Sequence, residues 1–162
     1  MKRIPFKCLK CGRCCRAVVG RNFGAALTGE EKNRLLALAE RHGVELEIKP
    51  LATNGMWVTV WQMATNPCPF LKNNECMIYP YRPLFCKMFP LHPYGVSECT
   101  FLDRYGKMGD LIAYPQEMQK AALDYYQKIT LPLRSATKRY NLNTGRWESP
   151  NPSYKKFVTV EI

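Results

Sequence analysis

Residues 8–15 read Cys8-Leu-Lys-Cys11-Gly-Arg-Cys14-Cys15, four thiols in eight positions. A C-x-x-C spacing lets two sulfurs converge on one centre from a tight turn. Three cysteines in C-x-x-C-x-x-C also wrap a four-iron cluster, with a fourth cysteine arriving from elsewhere. So dense a run, with Gly12 inside it, suits a ligand loop rather than a helix or strand. Neighbouring side chains diverge in most backbone conformations. Cys14 and Cys15 therefore read as two sites sharing one loop, or as one site with a spare thiol. Four more cysteines follow, Cys68, Cys76, Cys86 and Cys99. Cys68 precedes a proline, as the closing cysteine of such a loop commonly does. Eight thiols make two four-cysteine centres, or one centre with four thiols to spare, and the count leaves both open. Tetrahedral sulfur sites suit both metals, so the cofactor is Zn²⁺ or a 4Fe–4S cluster, in one or two centres.

Working outward, 162 residues with 46% apolar composition suffice for one domain with its own core. The N-terminal stretch MKRIPFKC lacks the apolar run and cleavage site of a signal peptide, and no segment reaches the roughly 18 apolar residues of a membrane span. The expected compartment is the cytoplasm. Its reducing conditions favour thiols as metal ligands over disulfides.

Thr28 and Glu31 form a capping box at the start of a helix whose apolar face holds Leu35, Leu38, Ala39 and His42, and Gly43 is placed to end it. Val44–Ile48 alternates as a half-buried strand stopped by Pro50. Asn54-Gly55 makes the turn into a second strand, Met56–Met63. Residues 66–90 hold five prolines, which favours a turn at Lys72–Asn74, a short strand Cys76–Tyr79 and a helical turn opened by Pro83. Residues 91–114 read as irregular. Pro115 opens a helix with Met118, Ala121, Ala122, Tyr125, Tyr126 and Ile129 on one stripe, ending before Pro132.

The blocks C-x-x-C-x-x-C-C (Cys8–Cys15), CPFL (Cys68–Leu71), C-x-I-Y (Cys76–Tyr79) and R-P-x-x-C-x-x-F-P (Arg82–Pro90) occur in that order. Over roughly residues 6–99 the chain resembles the YkgJ-type cysteine-cluster family, named for zinc or iron chelation; a related domain occurs in the flagellin lysine methylase. The resemblance implies Cys8, Cys11, Cys14, Cys15, Cys68, Cys76 and Cys86 as chelating residues. Cys99 lies outside its core blocks and completes the set of eight. Lys87 stands where the family often has arginine, which keeps the charge. Around these ligands, Arg82 is placed to bond a carbonyl or thiolate and offset negative charge. Phe70, Tyr79, Phe85 and Phe89 read as walls, and His92 as the one candidate ligand that is not sulfur. His42 is a helix-end residue.

The chain carries a formal charge of +11, from 24 Lys and Arg against 13 Asp and Glu. The excess is uneven: residues 1–22 hold seven basic side chains and no acid, and Lys128–Trp147 holds five and none. Basic residues interleaved with aromatics suit a surface that neutralises phosphates and stacks bases. Lys2, Arg3, Lys10, Arg13, Arg16, Arg21, Arg134, Lys138, Arg139, Tyr140, Arg146, Trp147, Lys155 and Lys156 are the candidate RNA contacts. The partner expected is RNA, with ribosomal RNA in a ribonucleoprotein as one setting, and no membrane. No nucleophile elbow, phosphate loop, dinucleotide loop or H-E-x-x-H motif is present, so the chain reads as a binding module rather than an enzyme. The alternatives are an iron–sulfur protein of electron transfer or enzyme maturation, and a metal storage or delivery protein. The expected architecture is a small, loop-rich α+β domain over residues 1–132. Two main helices and a few short strands surround the cysteine-ligated metal, and an extended basic, aromatic tail covers residues 133–162.

Overall fold

A computed structural model describes residues 2–16, 18–92, 95–96, 99–106 and 111–149. In chain order it contains β1 (Arg3–Pro5), α1 (Arg13–Arg16), β2 (Ala26–Leu27), α2 (Gly29–His42), β3 (Ile48–Asn54) and β4 (Trp57–Met63). There follow β5 (Leu71–Lys72), β6 (Glu75–Cys76), a 3₁₀ turn at Tyr79–Tyr81, α3 (Leu84–Met88), β7 (Leu91–His92), β8 (Gly95–Val96) and α4 (Thr100–Tyr105). The chain continues through β9 (Leu111–Ala113), α5 (Gln116–Tyr125), a π-helical stretch at Tyr126–Thr130, α6 (Leu131–Arg134), β10 (Lys138–Asn141) and β11 (Arg146–Glu148). The small α+β domain expected from the sequence is the fold observed.

Among the described residues the main sheet runs β11-β10-β3-β4-β2, with antiparallel pairing throughout. Its two faces bury different sets. Leu27 and Met63 turn toward Leu35, Leu38 and Ala39 of α2, together with Val18, Phe70 and Ile78. Ala26, Ala52 and Val60 turn the other way, onto Ile129 and Ala136. Adjacent strand residues point to opposite faces, so two apolar layers form around one sheet. A third cluster joins Met88 of α3 to Ala121 and Ala122 of α5.

Helix α2 has both caps that its sequence implies. The Thr28 hydroxyl accepts from Glu31 N, the Glu31 carboxylate accepts from Thr28 N, and Gly43 closes the helix in the left-handed region. Other elements depart from the sequence reading. The third strand does not stop at Pro50 but runs through it: β10 pairs only with Ala52 and Thr53, and the Pro50 carbonyl is taken by Gln62 Nε2 at 2.9 Å. A proline there removes no ladder bond on that side. The hairpin loop is Gly55-Met56, with Gly55 at φ 63°. Cys76 ends a strand paired with Leu71, and Tyr79 begins the 3₁₀ turn instead of extending a strand. Asn73 and Asn74 take the left-handed conformations that the two-residue loop of β5–β6 demands.

The described residues of 91–114 are not irregular: they form β7, β8, α4 and β9, with β9 parallel to β1. The long C-terminal helix continues past Pro132 to Arg134. The π stretch before it loosens the ladder where a proline ring would otherwise meet an α-helical carbonyl. Finally, Lys138–Asn141 and Arg146–Glu148, read from sequence as part of an irregular tail, are folded into the main sheet. β11 pairs with β10 as a local hairpin, but β10 joins the sheet through β3, more than 80 positions away in the chain, so no local pattern announces that placement.

Candidate metal centre

The cysteine run is curled by its backbone. Lys10 and Gly12 both have positive φ, at 52° and 71°. The residues after them form the single helical turn α1, where sequence alone suggested only loop. Glycine suits this position because a side chain at φ 71° is strained, and a Cβ would also crowd the Arg16 guanidinium. Arg16 ties the loop shut: Nη1 donates to Cys11 O at 2.7 Å and Nη2 to Asn74 Oδ1 at 2.6 Å. Lys10 pairs with Glu75 at 3.3 Å, and Cys68 N donates to Cys15 O at 2.8 Å. The loop is thereby docked onto the β5–β6 hairpin, which carries Cys76, while α3 supplies Cys86.

Six sulfurs from four chain segments line one cavity of about 440 Å³: Cys8, Cys14, Cys15, Cys68, Cys76 and Cys86. Leu35, Met63, Phe70 and Ile78 form its apolar wall, with Tyr79 and Arg82 among the lining residues. All eight cysteines are free thiols. Five of the sulfurs are in mutual electrostatic reach. The hydrogen bond to Cys15, then burial, push the Cys14 thiol up. Cys15 gains from Cys14 but is pushed up to about 11 by Cys68 and burial. The bond from Cys15 outweighs burial and lowers Cys68. Burial raises Cys76 against the pull of Arg82, and burial followed by the neighbouring Cys14, Cys15 and Cys76 raises Cys86. The group is a chain of mostly protonated thiols, which must lose protons to bind metal.

Arg82 is built into the rim. Its guanidinium lies 3.8 Å over the Tyr79 ring, Nε donates to Tyr79 O at 3.0 Å and Nη1 to Cys86 O at 3.4 Å. Of the expected aromatic walls, Phe70 and Tyr79 line the cavity and Phe85 packs against the neighbouring core, whereas Phe89 is not among the lining residues.

The other two cysteines sit apart from the cavity lining. Burial raises the Cys11 thiol, but hydrogen bonds from Thr100 together with the Arg13 and Cys11 backbone leave the thiol lowered. Cys99 is buried at the N-cap of α4, beside Tyr114. His92 lies on β7 and does not line the cavity; His42 ends α2, 6.5 Å from the Phe70 ring. Leu35, Met63 and Ile78 are cavity residues that the sequence reading did not single out. For Leu35 and Met63 the only signal was apolar periodicity, which marks core without telling which core residues face a site; Ile78 stands in the C-x-I-Y block beside Cys76.

In the arrangement shown, no three Cys, His, Asp or Glu side chains among the described residues converge tightly enough to hold an ion. The donor set nevertheless fits zinc or iron in kind: soft sulfurs gathered from distant segments around one apolar-walled space. A family model described as "CxxCxxCC: Putative zinc- or iron-chelating domain" matches residues 7–111, more than half of the chain. The protein belongs to this zinc- or iron-chelating family. Neither curated proteins nor solved structures yield a significant match. The CxxCxxCC segment that names the family is the loop of α1, and the match includes all eight cysteines.

The candidate RNA contacts fall into distinct groups. Lys10, Arg13 and Arg16 are engaged within the protein, Arg13 with Asp103 at 2.8 Å. Arg139 donates to Leu133 O at 2.7 Å, and Arg134 Nη1 lies 3.4 Å from the Tyr126 hydroxyl. Lys2 and Arg3 are exposed at β1. Arg21, Lys138, Arg146 and Trp147 are exposed near the β10–β11 hairpin, where Tyr140 meets Trp147 edge to face at 5.3 Å. Asn22 O accepts from Leu142 N at 2.8 Å, which brings Arg21 beside that hairpin. The N-terminal and C-terminal basic segments therefore meet only in part. Lys155 and Lys156 lie outside the described residues. No helix among the described residues is long and apolar enough to cross a membrane.

Proposed function

We propose that Cys14, Cys15, Cys68, Cys76 and Cys86, with Cys8 at the same cavity, hold zinc or a four-iron cluster in a single centre. The ion or cluster cross-links segments that the chain otherwise joins weakly, as a non-enzymatic module in the reducing cytoplasm. The supporting observation is the one cavity shared by six thiols, with Cys11 and Cys99 turned to α4. When bound, the metal supplies structural cross-linking and, if it is iron, redox capacity. Cys14, Cys15 and Cys68 already share hydrogen bonds, and Arg82 offsets negative charge beside Cys76 and Cys86. Anaerobic purification with metal analysis and a visible spectrum tests this reading. The expected result is bound zinc or iron, retained in Cys99→Ser and lost in Cys68→Ser; a wild-type protein without either metal ends it. A coloured, iron-loaded protein favours the electron-transfer or maturation alternative, and metal that exchanges freely with chelators favours storage or delivery.

A second reading assigns RNA to the β10–β11 hairpin. Lys138 and Arg146 flank the Tyr140–Trp147 pair, and Arg21 adds a third cation. Cations beside an aromatic pair whose Trp147 is exposed are the composition of a stacking surface, with ribosomal RNA a candidate partner. The metal-loaded protein is expected to bind RNA less tightly as salt rises, and Trp147→Ala to weaken binding at every salt concentration. No salt-dependent binding, and no co-sedimentation with ribonucleoprotein, would exclude it.

A further inference from the structure

Glu31 lies outside every cysteine block and carries the capping box of α2, yet its carboxylate has a second partner. Oε2 accepts from Thr28 N at 2.9 Å, while Oε1 accepts from Leu84 N at 2.7 Å, 53 positions along the chain. Leu84 is the first residue of α3, whose N-cap is Pro83. Proline has no side-chain acceptor to offer the exposed amides of a helix start, and α3 shows no side-chain cap of its own. The missing cap comes across the fold from α2, through a carboxylate that is 5% exposed. Two residues beyond the capped amide stands Cys86, one of the cavity thiols.

We infer that Glu31 is a positioning residue of the metal centre, fixing the α3 turn so that Cys86 faces the cavity; this rests on the reading that the cavity thiols hold the metal. The residue type follows from the chemistry. Two backbone donors need two acceptor oxygens, which a carboxylate has. Gln offers one oxygen, and its NH₂ would face an N–H. Asp is a methylene shorter and does not span both helix starts. Outer residues that orient metal ligands typically change affinity 10- to 100-fold when altered.

The test compares Glu31→Gln with Thr28→Ala, which deletes the hydroxyl partner within α2 and leaves the Glu31–Leu84 bond in place. Metal-loaded proteins are challenged with a chelator, and alkylation of each cysteine is followed by mass spectrometry. Glu31→Gln is expected to lose metal about tenfold faster or more, with Cys86 labelled ahead of Cys68, while Thr28→Ala keeps wild-type rates. Equal loss in the two variants, or uniform labelling of all cavity thiols, would reduce Glu31 to an ordinary helix cap and overturn the inference. Should Glu31→Gln fail to fold, Glu31→Asp is carried through the same assay with the same expectation. A wild-type protein that holds no metal overturns the metal reading itself, a separate result.

Discussion

Tyr125, half-buried at the end of α5, lies within electrostatic reach of the Glu31 carboxylate. Burial first, and the neighbouring carboxylate second, push its phenol from 10.0 up to about 12. The folded state holds the neutral phenol, and the unfolded chain releases the proton more easily. The stabilisation is therefore fully present below about pH 10 and is lost as pH rises toward 12, a change of about 3 kcal/mol. Tyr125→Phe is expected to remove this part of the alkaline decline, read as a shallower fall in urea midpoint between neutral and strongly alkaline pH. Wild type and variant falling in parallel would show that Tyr125 is not responsible. At this scale the chain's local chemistry was legible where it is self-contained. The capping box of Thr28 and Glu31 and the stop at Gly43 lie within a few residues of each other. The second bond of Glu31 was not legible, because its partner amide belongs to a helix that sequence spacing does not place nearby.

Elements show where tertiary partners override local preference. Pro50 and Pro132 read as stops, and both lie inside continuing elements, because β10 pairs only with Ala52 and Thr53 and asks no N–H of Pro50, and a π stretch makes room at Pro132. The short edge strand β2 depends on a close approach that the sequence does not display. Gly24 N donates to Gln62 Oε1 at 2.9 Å, and a Cβ on Gly24 would run into the Met63 carbonyl. That obstacle is backbone, not a flexible side-chain end, so relief requires moving β4 or the β2 approach. Gly24→Ala is expected to cost about 3 kcal/mol by this overpacking, visible as a lower urea midpoint with an unchanged slope. A variant as stable as the parent would mean that the two segments separate without penalty. The π stretch and β10 were missed for a related reason: neither the helix's loosened ladder nor the pairing of Lys138 with Thr53 leaves a periodic trace in sequence.

Across the whole molecule, the cysteines join what the apolar clusters leave loose. The N-terminal loop, the β5–β6 hairpin and α3 meet around the sulfur-lined cavity, against the α2 face of the sheet. A metal bound there adds folding energy directly, since the unfolded chain has no assembled site. Stripping it with a chelator, or replacing Cys86 by Ser, is expected to lower Tm by at least about 5 °C. Calorimetry on loaded, stripped and Cys86→Ser protein measures this, and three coincident melts would refute a structural metal. The sequence by itself determined the thiol chemistry, the family, the α+β class and the two main helices, because each rests on residue type and short spacing. Only the tertiary structure decided that six thiols share one cavity while Cys11 and Cys99 turn to α4, and that several basic residues hold the fold together. Those outcomes depend on which distant segments become neighbours, and that is settled by burying two faces of one sheet at once, which no local stretch of chain encodes.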